Sequence, residues 1–304
     1  MTGVRSFLEV DDLAPAELKD VLERAEVWKR GPETPPAVLD GQGVAMLFEK
    51  PSARTRSSTE MAVFTLGGHP IYIRGEEVGI DERESAEDVT RTLAGYCSVI
   101  AARVFDHQLL ERMVAVSPVP VVNLLSDRAH PCQALADLLT LREELGGLEG
   151  RRVAFVGDGN NVAASLAFAA ALSGLELVVA SPPGYELDDD VVERARNLGG
   201  SIELTNDAHE SVRGVDAIYT DVWTSMGQEE EAALRRAAFD GFSVDDALVQ
   251  VAGADVRILH CLPAHRGEEI AASVIDGPQS VVWKQAENRM HSIRALLTVL
   301  LVEG

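Results

Sequence analysis

The sequence predicts an α/β fold made of two doubly wound parallel-sheet domains. Three observations carry the prediction. Short apolar runs alternate with segments whose apolar residues recur at helical spacing, the pattern of a parallel sheet covered by helices on both faces. A glycine-rich break, Gly146-Gly147-Leu148-Glu149-Gly150, interrupts the alternation. Beyond it the alternation starts again. A chain of 304 residues is long enough for one or two packed domains.

Taken in order, residues 14–30 form the first expected helix, with Pro15 early and Leu18, Val21, Leu22, Ala25 and Trp28 on one face. The run Gly31-Pro32-Glu33-Thr34-Pro35-Pro36 ends it. Val44-Ala45-Met46-Leu47-Phe48 reads as a buried strand, and Thr59 to Leu66 as a helix. Ile71-Tyr72-Ile73 is a short strand, followed by a polar loop from Gly75 to Arg83. Ser85 caps a helix running to about Tyr96, 99–105 and 119–123 are strands, and 129–145 is helical. After the glycine break come strands 152–156, 175–180, 201–204, 215–220 and 256–260. Helices 161–173 and 188–198 and shorter ones lie between them, and a long helix from Gln285 to Leu301 closes the chain.

Composition excludes several classes. Net charge is −22, with four lysines (Lys19, Lys29, Lys50, Lys284), so a nucleic-acid partner, which calls for a basic surface, is not expected. An ordinary acidic enzyme and one living in high internal salt, where screening relieves self-repulsion, fit this balance equally. No apolar run is long enough to span a bilayer. The N-terminus lacks the apolar core of a signal peptide, so a cytoplasmic location is expected. Cys97, Cys132 and Cys261 are odd in number and far apart, which argues against a disulfide framework or a structural zinc site.

Six constellations carry chemistry. In Ser52-Ala53-Arg54-Thr55-Arg56, arginines and hydroxyls sit where a strand turns into a helix. Unpaired N–H groups, the positive end of the helix dipole and planar guanidinium forks together suit an oxyanion; a capped helix with solvated arginines is the plain alternative. Arg103, near a strand end, adds a cation at the same sheet edge. His130-Pro131-Cys132-Gln133 supplies groups that polarise a carbonyl oxygen and hold an amide, or that simply satisfy a helix start. Gly157-Asp158-Gly159-Asn160-Asn161 departs from the dinucleotide pattern Gly-x-Gly-x-x-Gly at Val162, so a nucleotide cofactor is weakly supported. Asn160 and Asn161 suit a small polar ligand better. Asp221-Val222-Trp223-Thr224-Ser225-Met226-Gly227 offers a carboxylate for an ammonium group, or an N-cap. His260-Cys261-Leu262-Pro263 sets a cysteine at a strand tip, either reactive or a buried structural thiol. Glu287-Asn288-Arg289, in the last helix, offers another cation.

In this order these motifs resemble the aspartate and ornithine transcarbamylases, across nearly the whole chain. Ser-x-Arg-Thr-Arg and His-Pro-x-Gln are shared by that superfamily; Asp-x-Trp-x-Ser-Met-Gly and His-Cys-Leu-Pro point to its ornithine branch. The resemblance implies a carbamoyl-phosphate domain of residues 1–133 plus 285–304, with the terminal helix folded back on it, and an ornithine domain of residues 134–284. It implies that Ser52, Ala53 (through its backbone), Arg54, Thr55, Arg103, His130, Gln133, Cys261, Leu262 and Arg289 bind carbamoyl phosphate. Arg103, His130, Cys261 and Arg289 carry catalysis in this reading. Asn161, Asp221, Ser225 and Met226 bind L-ornithine. It further implies a homotrimer with no metal and no organic cofactor, and direct attack of the neutral δ-amine on the carbonyl carbon. Two departures stand out. Ala53 replaces a usual threonine, removing one hydroxyl from the phosphate site, and the loop 76–83 carries Gly79-Ile80-Asp81 where the family often has Gln and Leu-Gly. Rival readings are transfer to putrescine or an N-acylornithine, a catalytically weak carbamoyl-phosphate-binding relative, and an NAD-linked dehydrogenase.

Overall fold

The computed structural model describes residues 4–31, 33–224 and 229–302. It resolves into two compact units: Met1–Ala136 with Glu287–Gly304, and Asp137–Ala286. Among the described residues no helix is long and apolar enough to cross a membrane.

The first unit is built on four parallel strands, β1 (Gly43–Phe48), β2 (His69–Arg74), β3 (Cys97–Arg103) and β4 (Val121–Leu125), in the order β2-β1-β3-β4. Register pairs Phe48 with both Arg74 and Arg103, and Arg103 with Leu125. All four carboxyl ends therefore share one edge. The chain order reverses at β1, which makes the space beyond its end the natural ligand crevice of an open α/β sheet. Inward residues Ala45, Leu47, Ile100, Ala102 and Val121 pack on Leu109, Leu110 and Met113. The last three lie on a helix, His107–Val116, that the sequence pattern did not predict. It is only ten residues long, and the Asp106 side chain caps it by accepting from the Gln108 N–H. The helix after β1 starts at Ala53, six residues earlier than the apolar period suggests. Ser52 is its cap, and the polar run 53–58 hides the period. The loop after β2 opens with a single helical turn, Gly75–Val78, which Gly79 closes at a φ of 65°. The C-terminal helix, Val282–Val302, packs with this unit from Glu287 onward.

The second unit has five parallel strands, β5 (Arg152–Val156), β6 (Glu176–Ala180), β7 (Ser201–Thr205), β8 (Ala217–Thr220) and β9 (Arg257–His260), in the order β7-β6-β5-β8-β9. The switch point lies between β5 and β8, so the segments leaving those two strands, from Gly157 and Asp221, meet there. The helix Asn161–Ser173 is buried along most of its length, with alanines against the sheet. A core of Ala154, Val156, Ile218 and Ile258 continues through Trp223, Phe239, Phe242 and Val244.

Candidate active site

In the first unit the edge formed by β1, β3 and β4 gathers a cationic, buried constellation around one hydroxyl. Thr55 is 1% exposed, and its Oγ1 accepts from the Ser52 hydroxyl at 3.1 Å, from Arg103 at 3.3 Å and from Arg289 at 3.2 Å. The Ser52 hydroxyl accepts in turn from the Thr55 N–H. Arg289 also donates to the Gln133 side-chain oxygen at 2.5 Å. Arg103, His130, Gln133 and Arg289 are all buried. Two guanidinium groups converging on a neutral hydroxyl is an arrangement that an anion would complete, because each charge raises the cost of the other in a poorly solvated site.

His130 sits in this field. Burial first, then the charges of Arg289, Arg103 and Arg54, hold its pKa well below the usual histidine range. Its imidazole is therefore neutral near pH 7 and carries one N–H donor. Ala53 and Arg54 are exposed in the first helical turn. Arg56 turns elsewhere: it pairs with Glu60 at 2.7 Å and stacks 3.9 Å from the centroid of Tyr72. Arg83, in the atypical loop, donates to the Glu77 carbonyl oxygen at 3.2 Å.

The second unit gathers a carboxylate, an amide and a thiol. Asp221, 6% exposed, follows β8. Its Oδ2 accepts from the Asn160 amide at 3.0 Å and its Oδ1 from the Cys261 thiol at 2.9 Å. Asn160 also caps the helix Asn161–Ser173, its Oδ1 accepting from Val162 and Ala163. Asn161, half-buried, opens that helix. Leu262 is half-buried with a left-handed φ of 61°. Its N–H donates to His260 Nδ1 at 2.9 Å, so the ring proton sits on Nε2, which faces Glu269 Oε1 at 3.0 Å. Asp221, His260 and Cys261 have ligand atoms within 4.8 Å of one another. With both imidazole nitrogens engaged, however, His260 has no free lone pair for a metal. Ser225 and Met226 lie outside the described residues.

The glycines of the segment after β5 also have a physical explanation. A Cβ on Gly159 would lie 2.3 Å from the Leu187 nitrogen and 2.4 Å from the Glu186 carbonyl carbon. The Gly159 N–H donates to the Tyr185 carbonyl oxygen at 2.8 Å. Chain 185–187 thus lies directly against this loop. Asp158 is tied to Arg235 at 2.9 Å, and burial pushes its pKa up to about 6 against the pull of that arginine.

Two family descriptions match almost the whole chain: "Aspartate/ornithine carbamoyltransferase, carbamoyl-P binding domain" over residues 5–143, and "Aspartate/ornithine carbamoyltransferase, Asp/Orn binding domain" over residues 149–300. The chain belongs to the aspartate/ornithine carbamoyltransferase family. Among carbamoyltransferases it is similar to the ornithine carbamoyltransferase of Acidothermus cellulolyticus, at 50% identity covering 98% of this chain and 97% of that one. The solved ornithine carbamoyltransferase of Pyrococcus furiosus superposes with a TM-score of 0.93 at 45% identity, covering 99% of this chain and 98% of that one. That of Thermus thermophilus gives 0.90 at 46%, covering 98% and 99%. Within the carbamoyltransferase fold, the sequence motifs named the residue types but not their pairings. Asn160, which caps the next helix, also touches Asp221. Thr55 proves to be the hub where the Ser52 turn, β3 and the last helix meet, a role that no local pattern in the sequence encodes.

Proposed function

We propose that this protein transfers the carbamoyl group of carbamoyl phosphate to the δ-amine of L-ornithine, giving L-citrulline and phosphate. The observation that carries the reading is the convergence of Arg103 and Arg289 on Thr55 beside a neutral, buried His130. In this reading phosphate oxygens take the guanidinium N–H groups, the helix N-terminus at Ser52 to Thr55 and the exposed Arg54. The imidazole N–H of His130 donates to the carbamoyl oxygen, and Gln133 holds the carbamoyl amide. Cys261 and Leu262 contribute at the carbamoyl end.

The acceptor half is assigned to the second unit. Asp221 binds an ammonium group of ornithine, with its oxygens oriented by Asn160 and Cys261. Asn161, Ser225 and Met226 complete the ornithine contacts. The uncharged δ-nitrogen attacks the carbonyl carbon. A C–N bond forms, the bond from that carbon to the phosphate oxygen breaks, the nitrogen gives up one proton, and phosphate leaves with the electron pair. Arg103 and Arg289 offset its charge, while His130 and Arg103 stabilise the developing oxyanion. Holding two substrates in register supplies much of the remaining acceleration. We extend the proposal to a homotrimer acting in the cytoplasm, as the family resemblance implies, with no metal or organic cofactor taking part.

The test supplies carbamoyl phosphate with a panel of acceptors and measures ureido product and phosphate. Citrulline from ornithine is expected. Product only from putrescine or N-acylornithine would overturn the acceptor assignment, and tight carbamoyl-phosphate binding without turnover would overturn the enzymatic one.

A further inference from the structure

Gln285 and Asp137 form a buried polar pair to which none of the roles above is assigned. Gln285 is fully buried and Asp137 is 1% exposed. The Gln285 amide donates to Asp137 Oδ1 at 2.7 Å, and its carbonyl oxygen accepts from the backbone N–H of His260 at 2.9 Å. The amide orientation is forced. Only its oxygen can meet an N–H, and only its NH2 can meet a carboxyl oxygen. Buried polar groups of this kind cost free energy unless every partner is in place.

What the pair holds is the strap that ends β9. His260 immediately precedes Cys261, whose thiol donates to Asp221, and Leu262, whose left-handed φ of 61° is strained for a residue with a Cβ. Such backbone persists only where the surroundings over-determine it. The His260 N–H is gripped by Gln285, and the Leu262 N–H by the His260 ring. Tyr219, wholly buried on β8, has its hydroxyl pKa pushed well up by burial, then by Asp137, Cys261 and Asp221. The Tyr219 hydroxyl thus feels both the Asp137 carboxyl and the Cys261–Asp221 pair. We propose that Gln285, oriented by Asp137, is a positioning residue for the reaction, fixing the His260–Leu262 backbone so that Cys261 and Leu262 meet the substrates in one geometry. This rests on the carbamoyl-transfer reading above.

The test compares Gln285→Leu, which removes the acceptor, with Asp137→Asn, which keeps an oxygen for the Gln285 amide. In Gln285→Leu, kcat should fall about tenfold or more while the KM for carbamoyl phosphate stays within about twofold, the split expected for a positioning contact. Amide hydrogen exchange at His260 should accelerate about tenfold in the same variant. Asp137→Asn should stay within about threefold of the wild type on both readouts. Gln285→Asn, one methylene shorter, should behave as Gln285→Leu, and it decides the matter if the leucine variant does not fold. A wild-type protein that makes no citrulline overturns the functional reading. An active wild type beside a folded Gln285→Leu or Gln285→Asn variant with unchanged kcat and unchanged exchange overturns the tether alone.

Discussion

Replacing Thr55 with valine keeps the shape of a fully buried side chain and deletes its hydroxyl. That oxygen accepts from Arg103 at 3.3 Å and Arg289 at 3.2 Å. A hydrogen bond involving a charged group contributes about 1.5–3 kcal/mol. Both bonds are long, so the lower figure applies to each, and Thr55→Val should lose about 3 kcal/mol relative to Thr55→Ser, which retains the oxygen. The proposed ligand narrows the difference. Phosphate brings acceptor oxygens to both guanidinium groups, whereas valine forfeits only one neutral donor worth about 0.5–1.5 kcal/mol. Inorganic phosphate should therefore raise the denaturation midpoint more in Thr55→Val than in Thr55→Ser. Chemical denaturation of both variants, with and without phosphate, reads out the two effects. Equal stability of the variants without phosphate would refute the hub. An identical phosphate response in both would refute the idea that Arg103 and Arg289 face the anion.

Ala53→Thr restores a hydroxyl in the exposed first helical turn and should lower the KM for carbamoyl phosphate, while Arg54→Ala should nearly abolish turnover. Steady-state kinetics check both, and an unchanged KM or near-normal turnover would contradict the reading of the turn. Gly159→Ala drives a Cβ to within 2.3 Å of the backbone at Leu187, and backbone has no rotamer with which to yield. The overpacking cost should reach about 3 kcal/mol or more, visible in the denaturation midpoint. His107, His130 and His291 are all held below the usual histidine range, chiefly by burial. The unfolded chain takes up protons that the native state refuses, so stability should fall as pH drops through about 6.5. Asp158, raised to about 6 by burial in spite of Arg235 and with Asp221 and Glu231 nearby, acts oppositely, favouring the native state as pH falls from about 6 toward 4. A midpoint that stays flat from pH 7.5 to 6 would contradict the histidine assignment. Turnover should rise with pH until the free δ-amine dominates, and a flat rate from mildly acidic to alkaline pH would contradict attack by that amine.

Much of the fold was legible because most strands carry an apolar run, β2 and β7 being more mixed, and the longer helices keep their period. Strand 152–156 and helix 161–173 run between the residues expected from sequence. The helix His107–Val116 was not legible, since three buried apolar residues on a ten-residue helix give too little periodicity to separate it from a loop. Local chemistry was legible in the same sense. Ser52 in front of a polar run, a histidine at a helix head and a carboxylate at a strand end each declare a type of contact. Partners were not. Gln133 and Arg289 are 156 residues apart, and Gln285 meets Asp137 from 148 residues away. Such pairings follow from strand order and register, which no window along the chain contains.

The segment after β5 shows how far a motif can go without its surroundings. Two glycines behind a strand suggest room for a phosphate, while the missing third glycine at Val162 and the lack of an acidic residue at the tip of the next strand, 178–181, argue against a nucleotide. Packing supplies a stronger argument. Gly159 lacks a side chain because backbone 185–187 lies against it, donating and accepting within the protein rather than leaving N–H groups for a ligand. Asn160 spends its oxygen on the helix N-terminus, where a dinucleotide phosphate would otherwise bind, and turns its amide to Asp221. The same residues that close the site to a nucleotide thus orient the carboxylate proposed to receive ornithine. Replacing Asn160 with aspartate would keep the cap but put like charges 3.0 Å apart across the present bond. The KM for ornithine should then rise while that for carbamoyl phosphate holds, and equal changes in both would show that Asp221 is not the acceptor's anchor.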